Sequence, residues 1–450
     1  MNIEGTSINL VRGEVARLIP VGSEKNVECR ATSILLATMS VVEQFASAML
    51  ASVGQKIGAR SQLSCYTEVV LPQASGKLDR PDGLIVLRTG KRVWSALVEA
   101  KVGNAQLNEE QVQKYLALAK LNKIDAVITI SNQFVALPTH HPIKVPKVAT
   151  RSVGLYHWSW MALRTQAIYQ LDVLQDIDPE QRYILNEFVR YFMHPSAGVK
   201  SFDAMNAEWK TVCLAVKNGG RLNKNSDDVV KTIGAWYQEQ RDISLLLTRK
   251  LKAPVSVRLK PAHKNDAELR LKDDCADFVE GQSLSCKFEV PDAANDLQVT
   301  ADLARRVVCC SMEVAAPTDK KTTKARVNWL TRQLAKTENG ALQIVAKWPS
   351  RVKDTAKSLE ILREDPAALQ CENPGLVPSR FEVMLVRDLA GKFSGSKTFL
   401  EGLNSAVEDF YHEAGEHLRV WVPPAPKLLK SDEDHPPEGG EELVPVHIGG

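Results

Sequence analysis

Two charged residues, Glu99 and Lys101, stand in the otherwise apolar segment VEAKVG. Side chains alternate along a β-strand, so the carboxylate and the ammonium group would lie on the same face. Their neighbours Leu97 and Val98 are apolar on both faces, which favours a strand covered on both sides. The pair is therefore a candidate for chemistry, with a solvent-exposed strand face as the alternative.

A second acidic residue, Asp82, begins the preceding strand-like segment in RPDGLIVL. A short turn, TGK, separates the two segments, so we expect antiparallel neighbours that bring Asp82 close to Glu99. Carboxylates and a backbone carbonyl, for which Ala100 is the candidate, are the oxygen ligands that Mg²⁺ prefers. The metal would polarise a phosphoryl oxygen and activate water, while Lys101 orients that water. The alternative for Asp82 is a simple Asp-Gly turn.

Polar residues on the next predicted helix lie near the same strand end. Gln111 and Tyr115 are four residues apart and therefore share one helix face. Gln111 also fits a capping pair with Asn108, and Tyr115 fits the apolar stripe of the helix, so each has a structural alternative. Glu43, in an apolar helical segment, faces either solvent or the metal site.

The order of the predicted N-terminal elements is α-β-β-β-α-β. Apolar spacings of three and four residues predict the helices, and short apolar runs between turn residues predict the strands. The elements are helix 31–53, strands 64–72, 82–88 and 93–101, helix 107–120 and strand 125–132, with 153–158 as a further strand candidate. This order predicts an α/β fold with a mixed sheet flanked by helices.

The rest of the chain shows a helical period over residues 165–250 and a mixture of short strands and helices from residue 253. The predicted C-terminal elements are strands 254–260, 283–290, 306–314, 341–348 and 380–388 and helix 320–336. They predict an α+β region without a recognisable motif. We expect four regions: a first domain 1–165, a helical connection 166–252, an α+β domain 253–425 and an acidic, disordered tail 426–450.

The net charge of +3 is unevenly distributed along the chain. Residues 431–450 hold six acidic residues and no Lys or Arg, so the remaining chain carries +9. A basic body suits a polyanionic partner. The candidates for nucleic-acid contact are Lys320, Lys321, Lys324 and Arg326, in a predicted helix whose basic face is alternatively just solvated.

Eight scattered cysteines include no CxxC pair and no spacing typical of a zinc site. Together with the lack of a secretory signal pattern, they predict a reducing, cytoplasmic location. The apolar run 31–42 is too short to span a membrane.

The segments RPDG, VEAK and QVQKY resemble the PD-(D/E)XK nuclease superfamily, in its RecB-like/restriction-endonuclease-like branch with a QxxxY helix. The resemblance covers roughly residues 30–160. It implies a restriction-endonuclease-like αβββαβ core, a hydrolase that uses Mg²⁺ or Mn²⁺, and catalytic residues matching the motif. On this resemblance Asp82 and Glu99 hold the metal, Lys101 serves the attacking water, and Gln111 and Tyr115 belong to the site. It also implies a first-helix acid, for which the candidates are Glu43 and Glu68.

The function implied is a metal-dependent phosphodiesterase acting on nucleic acid, mainly DNA. A role in antiviral defence, restriction or repair rests on analogy with the family alone. One alternative is a non-catalytic, nuclease-like subunit that binds nucleic acid or a protein partner. Another is a nuclease subunit of a larger complex, licensed by a helicase or ATPase partner. The sequence has no GxxxxGK[ST] motif, so any ATP-driven step must come from that partner. A homodimer is a separate expectation. The strandedness of the substrate and the position of cleavage stay open.

Overall fold

The computed structural model describes residues 3, 6–20, 27–72, 80–173, 177–340, 342–350 and 352–423. Two sheets organise these residues: a six-stranded mixed sheet in the N-terminal half and a seven-stranded antiparallel sheet in the C-terminal half. The predicted acidic tail, 426–450, lies outside the described residues.

The N-terminal sheet follows the chain order from one edge to the other. Its strands are β1 (Arg12–Val15), β2 (Ser61–Val70), β3 (Gly83–Thr89), β4 (Arg92–Ala100), β5 (Ala126–Ser131) and β6 (Gly154–Ser159). Its helices are α1 (Val27–Val41), α2 (Glu43–Ala51), α3 (Glu109–Leu121), α4 (Trp160–Val173) and α5 (Pro179–Met193). The first four strands pair antiparallel in succession, whereas β5 and β6 run parallel to their preceding neighbours. The predicted mixed sheet with flanking helices is thus confirmed.

The central strand β4 is buried on both faces, as its apolar sequence predicts. Val98 and Ala100 contribute to one core, which includes residues of α1, α2, α4 and α5. Leu97 belongs to a second core on the opposite face, with Tyr115 and other residues of α3. Side chains alternate along a strand, so Glu99 points to the α3 side of the sheet. The carboxylate of Glu99 is therefore on the face of the sheet that α3 covers.

The helix predicted over residues 31–53 is two helices, bent by 106°. The break lies at Val42, whose backbone is extended (φ −96°, ψ 92°) and whose side chain is buried. In the described part of the chain no single helix is long and apolar enough to cross a membrane, and only this bent pair meets the criteria jointly. The edge strand β1, RGEV, was not predicted because it is short, polar and largely exposed.

The C-terminal sheet has the order β12-β11-β13-β10-β9-β8-β7. Its strands are β7 (Ser256–Val257), β8 (Ser283–Glu289), β9 (Leu297–Asp302), β10 (Val307–Ala315), β11 (Gln343–Lys347), β12 (Thr355–Ser358) and β13 (Arg380–Asp388). The remaining helices are α6 (Trp209–Lys217), α7 (Asp227–Leu251), α8 (Pro261–Asn265), α9 (Ala267–Gly281), α10 (Thr323–Gln333), α11 (Leu359–Glu364) and α12 (Ser396–Phe410). The five predicted C-terminal strands are present, and β9 and β12 are additional.

The two cores show where the chain passes from one half to the other. Residues of α4 and α5, among them Leu163 and Phe188, pack in the core of the first sheet. Residues of α6 and α7, among them Trp209 and Trp236, pack in the core of the second sheet. The boundary expected between residues 165 and 166 therefore falls inside α4. Helix α5 still packs in the core of the first sheet, and α6 is the first of these helices to pack in the core of the second.

A turn after α5 returns to the N-terminal sheet at Gly198. Its carbonyl accepts a hydrogen bond from the amide of Gly103 at 2.9 Å. Gly198 has a φ of +68°, and a Cβ there would approach the Gly103 nitrogen to 2.8 Å. The contact therefore requires glycine for two separate reasons, its backbone conformation and its lack of a side chain.

We expect Gly198→Ala to lower the free energy of unfolding by more than Gly219→Ala. Gly219 has a φ of +69°, but nothing lies within 4 Å of its Cβ position. Gly219→Ala therefore measures only the cost of a left-handed backbone without glycine, about 1 kcal/mol. Any additional loss of unfolding free energy in Gly198→Ala measures the clash with Gly103. Urea unfolding followed by circular dichroism measures both; equal losses would contradict the tight contact.

Candidate functional site

Asp82 immediately precedes β3 and lies opposite the end of β4. The register pairs Gly83 with Val98, which places Asp82 beside Glu99 on the neighbouring strand. The Oδ2 atom of Asp82 accepts a hydrogen bond from the amide of Ala100 at 2.8 Å. The sheet register thus fixes the first carboxylate, as the predicted hairpin requires.

Glu99 is the centre of the polar cluster. Its Oε1 atom accepts hydrogen bonds from Lys101 Nζ and from Gln111 Nε2, each at 2.7 Å. Only 3% of the Glu99 side chain and 16% of the Lys101 side chain are exposed. The alternative of a solvated strand face therefore does not describe this pair.

Gln111 and Tyr115 reach the cluster from the first two turns of α3. Asn108 caps the helix and accepts a hydrogen bond from the backbone amide of Gln111, so the side chain of Gln111 is left for Glu99. Gln111 also donates to the hydroxyl of Tyr115 at 3.1 Å, and that hydroxyl donates to the carbonyl of Arg80. Tyr115 is buried in the core as well. The capping and core contacts of these two residues therefore coexist with their contacts in the cluster, and their catalytic roles stay predictions.

The acidic residue contributed by the first helix is Glu28. Its Oε2 atom lies 3.5 Å from Lys101 Nζ, and 31% of its side chain is exposed. Glu43 begins α2, is exposed, and is separated from Glu28 by the length of α1, about 20 Å at 1.5 Å per residue. The expectation that Glu43 approaches the site is therefore corrected to Glu28. The prediction missed Glu28 because it began the helix at residue 31.

Glu68, the other candidate for the additional acid, lies at the edge of the cluster. It forms an ion pair with Arg80 at 2.8 Å. It also accepts a long hydrogen bond from the thiol of Cys29, the neighbour of Glu28 in α1. Its φ of +53° marks an irregular point in β2. The described contacts of Glu68 therefore connect β2 to Arg80 and to Cys29 of α1, and none of them involves Glu99 or Lys101.

Burial and like charge shape the titration of the carboxylates. Burial, then the negative charge of Glu99, raise the pKa of Asp82 to about 8, with a smaller contribution from Glu28. Burial likewise raises the pKa of Glu99, and the hydrogen bond and positive charge of Lys101 only partly oppose that rise. The fold therefore favours the protonated, neutral form of both acids.

Lys101 stays protonated in this environment. Burial lowers its pKa, but the hydrogen bond to Glu99 and the charges of Glu99, Glu28 and Asp82 outweigh burial, so the net shift is upward. The side chain therefore provides an ammonium group, which donates hydrogen bonds and stabilises negative charge, and it does not provide a base.

Backbone and side-chain contacts hold the end of β4 in place. The amide of Lys101 donates to the carbonyl of Ile130 at 2.8 Å, and the Lys101 carbonyl accepts from Trp160 Nε1 at 2.8 Å. Trp160 stacks on Phe192 of α5 with ring centroids 4.9 Å apart. These contacts tie the strand carrying Lys101 to α4 and α5.

The loop after Lys101 is held by Asn132, at the end of β5. Its Nδ2 atom donates to the carbonyls of Gly103 and Gly198, at 3.1 and 2.8 Å. Its Oδ1 atom accepts from the amide of Lys200 at 3.0 Å. Sequence reasoning did not single out Asn132, because an asparagine after a strand is typical of an ordinary turn.

The donor chemistry of the cluster fits a divalent metal ion. Carboxylate oxygens of Asp82 and Glu99 are hard ligands of the kind that Mg²⁺ and Mn²⁺ prefer. Within the described residues, however, no group of three or more His, Cys, Asp or Glu side chains is already arranged to hold an ion. The ammonium of Lys101 contacts both Glu99 and Glu28. The metal roles predicted for Asp82, Glu99 and the Ala100 carbonyl stay predictions.

The four basic residues predicted to contact nucleic acid differ in their surroundings. Arg326 is buried in α10, and its guanidinium donates to the carbonyls of Lys320 and Pro378 at 2.8 and 2.7 Å. Its predicted contact with nucleic acid is therefore corrected, because the side chain is a structural anchor. Lys321 and Lys324 are exposed and Lys320 is half-buried, so contact with a phosphate backbone stays a prediction for these three.

No family model matches the chain, and no curated protein or solved structure matches it. The function of the site is therefore inferred from its geometry and its chemistry. The resemblance to the PD-(D/E)XK superfamily continues to rest on the residues of the motif.

We expect Asp82→Asn to stabilise the metal-free protein increasingly as pH rises from about 4 to about 8. The folded protein keeps the Asp82 proton up to about pH 8, whereas the unfolded chain releases it near pH 4. The wild type therefore loses stability as pH rises across that window, and the neutral asparagine does not. Melting temperatures measured in EDTA test this, with the exposed Glu43→Gln as control. A variant-to-wild-type difference that is constant with pH would contradict it.

Proposed function

We propose that the chain is a metal-dependent nuclease that hydrolyses phosphodiester bonds, with DNA as its main substrate. The single observation that carries the proposal is the convergence of Asp82, Glu99, Lys101 and Gln111 in one buried cluster. A solvated strand face or a turn-forming aspartate would not need two side chains, Lys101 and Gln111, donating to one carboxylate oxygen beside a second acid. The cytoplasmic location is part of the same proposal.

The finer fold assignment belongs to this proposal. The order α1, α2, β2, β3, β4, α3 and β5 is compatible with a restriction-endonuclease-like αβββαβ core, in which α1 and α2 together take the place of the first helix. In that interpretation the acid of the first helix is Glu28. The motif residues lie at the end of β4 and on the adjoining helix, which agrees with the proposed assignment.

Asp82 and Glu99 would hold Mg²⁺ or Mn²⁺, with the Ala100 carbonyl as a candidate third ligand. The bound metal supplies Lewis acidity and lowers the pKa of a coordinated water. Lys101 supplies a fixed positive charge that orients the attacking water and stabilises charge developing on the phosphate. Gln111 and Tyr115 hold the Glu99 carboxylate in one orientation from α3. Burial of Glu99 strengthens each of these electrostatic contacts.

A second candidate is a non-catalytic subunit that binds nucleic acid or a protein partner, such as a helicase or ATPase. The observation that favours it is the pairing of Lys101 with both Glu99 and Glu28, which already compensates part of the negative charge. In this case the cluster stabilises the fold, and binding by the basic body continues without the carboxylates.

We expect purified protein to cleave plasmid or linear DNA with Mg²⁺ or Mn²⁺, and Asp82→Asn, Glu99→Gln and Lys101→Ala to lose at least about a hundredfold in rate. The loss follows because each variant removes a metal ligand or the fixed positive charge. Gel electrophoresis of the products under single-turnover conditions measures the rates. The exposed Glu43→Gln serves as the carboxylate control and should keep wild-type activity.

The variant Glu28→Gln tests whether the acid of the first helix is Glu28, which contacts Lys101, or Glu43, which the sequence predicted. We expect it to slow cleavage by about tenfold or more, because it removes a charge that positions the Lys101 ammonium. Cleavage rates of Glu28→Gln and Glu43→Gln are compared at equal metal concentration. A wild-type protein inactive on DNA and RNA, whose salt-sensitive nucleic-acid binding survives Asp82→Asn, would instead support the non-catalytic candidate.

A further inference from the structure

Helix α10 carries a tryptophan that its core packing does not enclose. Val327 and Leu330 are fully buried and attach the helix to the core of the second sheet. Trp329 is only partly buried, and together with Arg332 it lines a depression of about 500 Å³. A large aromatic ring on a surface helix therefore stays within reach of a ligand.

Partial exposure sets Trp329 apart from most tryptophans of the chain. Six of the eight are buried: Trp94, Trp158, Trp160, Trp209, Trp236 and Trp348. Four of these donate their indole N–H to a protein oxygen. Within the residues that the structure describes, the N–H of Trp329 has no such acceptor. A ligand can therefore use both the ring and the donor.

The charges around Trp329 are positive. Residues 317–337 hold six Lys or Arg residues and a single acidic one, Asp319. Lys320 pairs with Asp319, and Arg326 is bound by backbone carbonyls, so neither of these cations is available. Three cations are exposed and form no ion pair or side-chain hydrogen bond in the described part of the chain: Lys324, Arg332 and Lys336. We call these three residues and Trp329 the Trp329 surface.

The helix places these cations on both sides of the ring along its axis. Lys324 lies in the first turn of α10, before Trp329. Arg332 is three residues after Trp329, a spacing at which Cβ atoms lie about 5–6 Å apart on one helix face. Lys336 follows in the turn after the helix. The ring is therefore flanked by positive charge that no acidic side chain compensates.

A second partly buried tryptophan, Trp421, lies near the end of the same helix. Gln333, the last residue of α10, accepts a hydrogen bond from the amide of the exposed Arg419 at 2.6 Å. Trp421 comes two residues later, so its Cα lies within about 7 Å of that of Arg419. A further aromatic residue and a further cation are thus held beside the Trp329 surface.

We infer that the Trp329 surface binds single-stranded nucleic acid. Unpaired bases stack on Trp329, and the phosphates on either side meet Lys324, Arg332 and Lys336. Aromatic rings on a basic surface hold single strands in this way because every base has a face that can stack. A duplex encloses its base faces in its own stack, so it can use the cations but not the indole. DNA and RNA strands share the required chemistry.

The inference deepens the proposed function and rests on it for the choice of nucleic acid as the partner. It adds the strandedness of the substrate and a binding surface in the C-terminal half. None of its residues belongs to the Asp82–Glu99 cluster, so binding at the Trp329 surface is measurable apart from cleavage.

Fluorescence anisotropy of labelled oligonucleotides with the full-length Asp82→Asn protein in EDTA tests the inference without cleavage. The probes are oligo(dT), oligo(U) and a DNA duplex, each about 20 nucleotides long, which exceeds the usual site size of a single-strand-binding fold. Comparison of oligo(dT) with oligo(U) shows which strand is preferred. At least one of the two should bind in a manner that depends on Trp329.

Trp329→Ala should weaken binding of that single strand by at least about fivefold, because it removes the stacking platform. It should leave duplex binding and the salt dependence unchanged, since no charge is removed. Trp329→Phe keeps an aromatic ring and should retain most of the affinity.

Arg332→Ala should instead reduce the slope of log affinity against log salt concentration by about 0.7, the value for one phosphate contact on a single strand. The control is Arg92→Ala, at an exposed arginine of β4 that has no side-chain partner within the described residues, and it should change neither affinity nor slope. Circular dichroism confirms that each variant is folded.

Four results overturn the inference. Neither single strand binds, a folded Trp329→Ala keeps full affinity, Trp329→Ala weakens duplex binding equally, or a peptide of residues 431–450 displaces the oligonucleotide at equal concentration. That peptide has six acidic residues and no Lys or Arg, so its success would assign the surface to an acidic protein segment. Failure of the nuclease proposal alone leaves these readouts unaffected, because they measure binding without metal in a variant that lacks the Asp82 carboxylate.

Discussion

Acidic side chains held together away from water are the constraint on which the N-terminal half depends. Burial raises the pKa of Asp82 and of Glu99, neighbouring acidic groups add to both shifts, and the ammonium of Lys101 contacts Glu99 and Glu28. Carboxylates separate unless rigid elements hold them, because burial removes the water that screens them. The paired strands, α1 and α3 provide that rigidity from three directions. The stability of these elements therefore offsets the unfavourable free energy of burying acidic groups close together.

The geometry follows from backbone hydrogen bonds more than from side-chain packing. The register of β3 against β4 places Asp82 beside Glu99, and the parallel pairing with β5 fixes the amide of Lys101. A one-residue slip in either pairing would move Glu99 to the opposite face of the sheet. Trp160 and Asn132 then secure the segment that follows the strand.

Sequence patterns predicted the strands and the central residues well, because apolar runs and turn residues act locally. They placed Asp82, Glu99, Lys101, Gln111 and Tyr115 at one strand end, and the structure brings these residues together. They failed at Glu28 and Glu43, since neither the start of α1 nor the break at Val42 shows in the helical period. They also missed that Arg326 is bound by the backbone carbonyl of Lys320, just before α10, and by that of Pro378, 52 residues further along the chain.

The contact between Gly198 and Gly103 has a consequence for how the protein can be divided. The resemblance ends near residue 160, but the helices after it, α4 and α5, complete the core beneath β4, and the carbonyl of Gly198 binds the amide of Gly103 in the loop that follows Lys101. A fragment cut at the end of the motif would expose the apolar surface that Phe188 and Phe192 cover. The smallest portable unit therefore extends to about residue 200, so exchange of this module between proteins would have to carry those forty residues along with the motif.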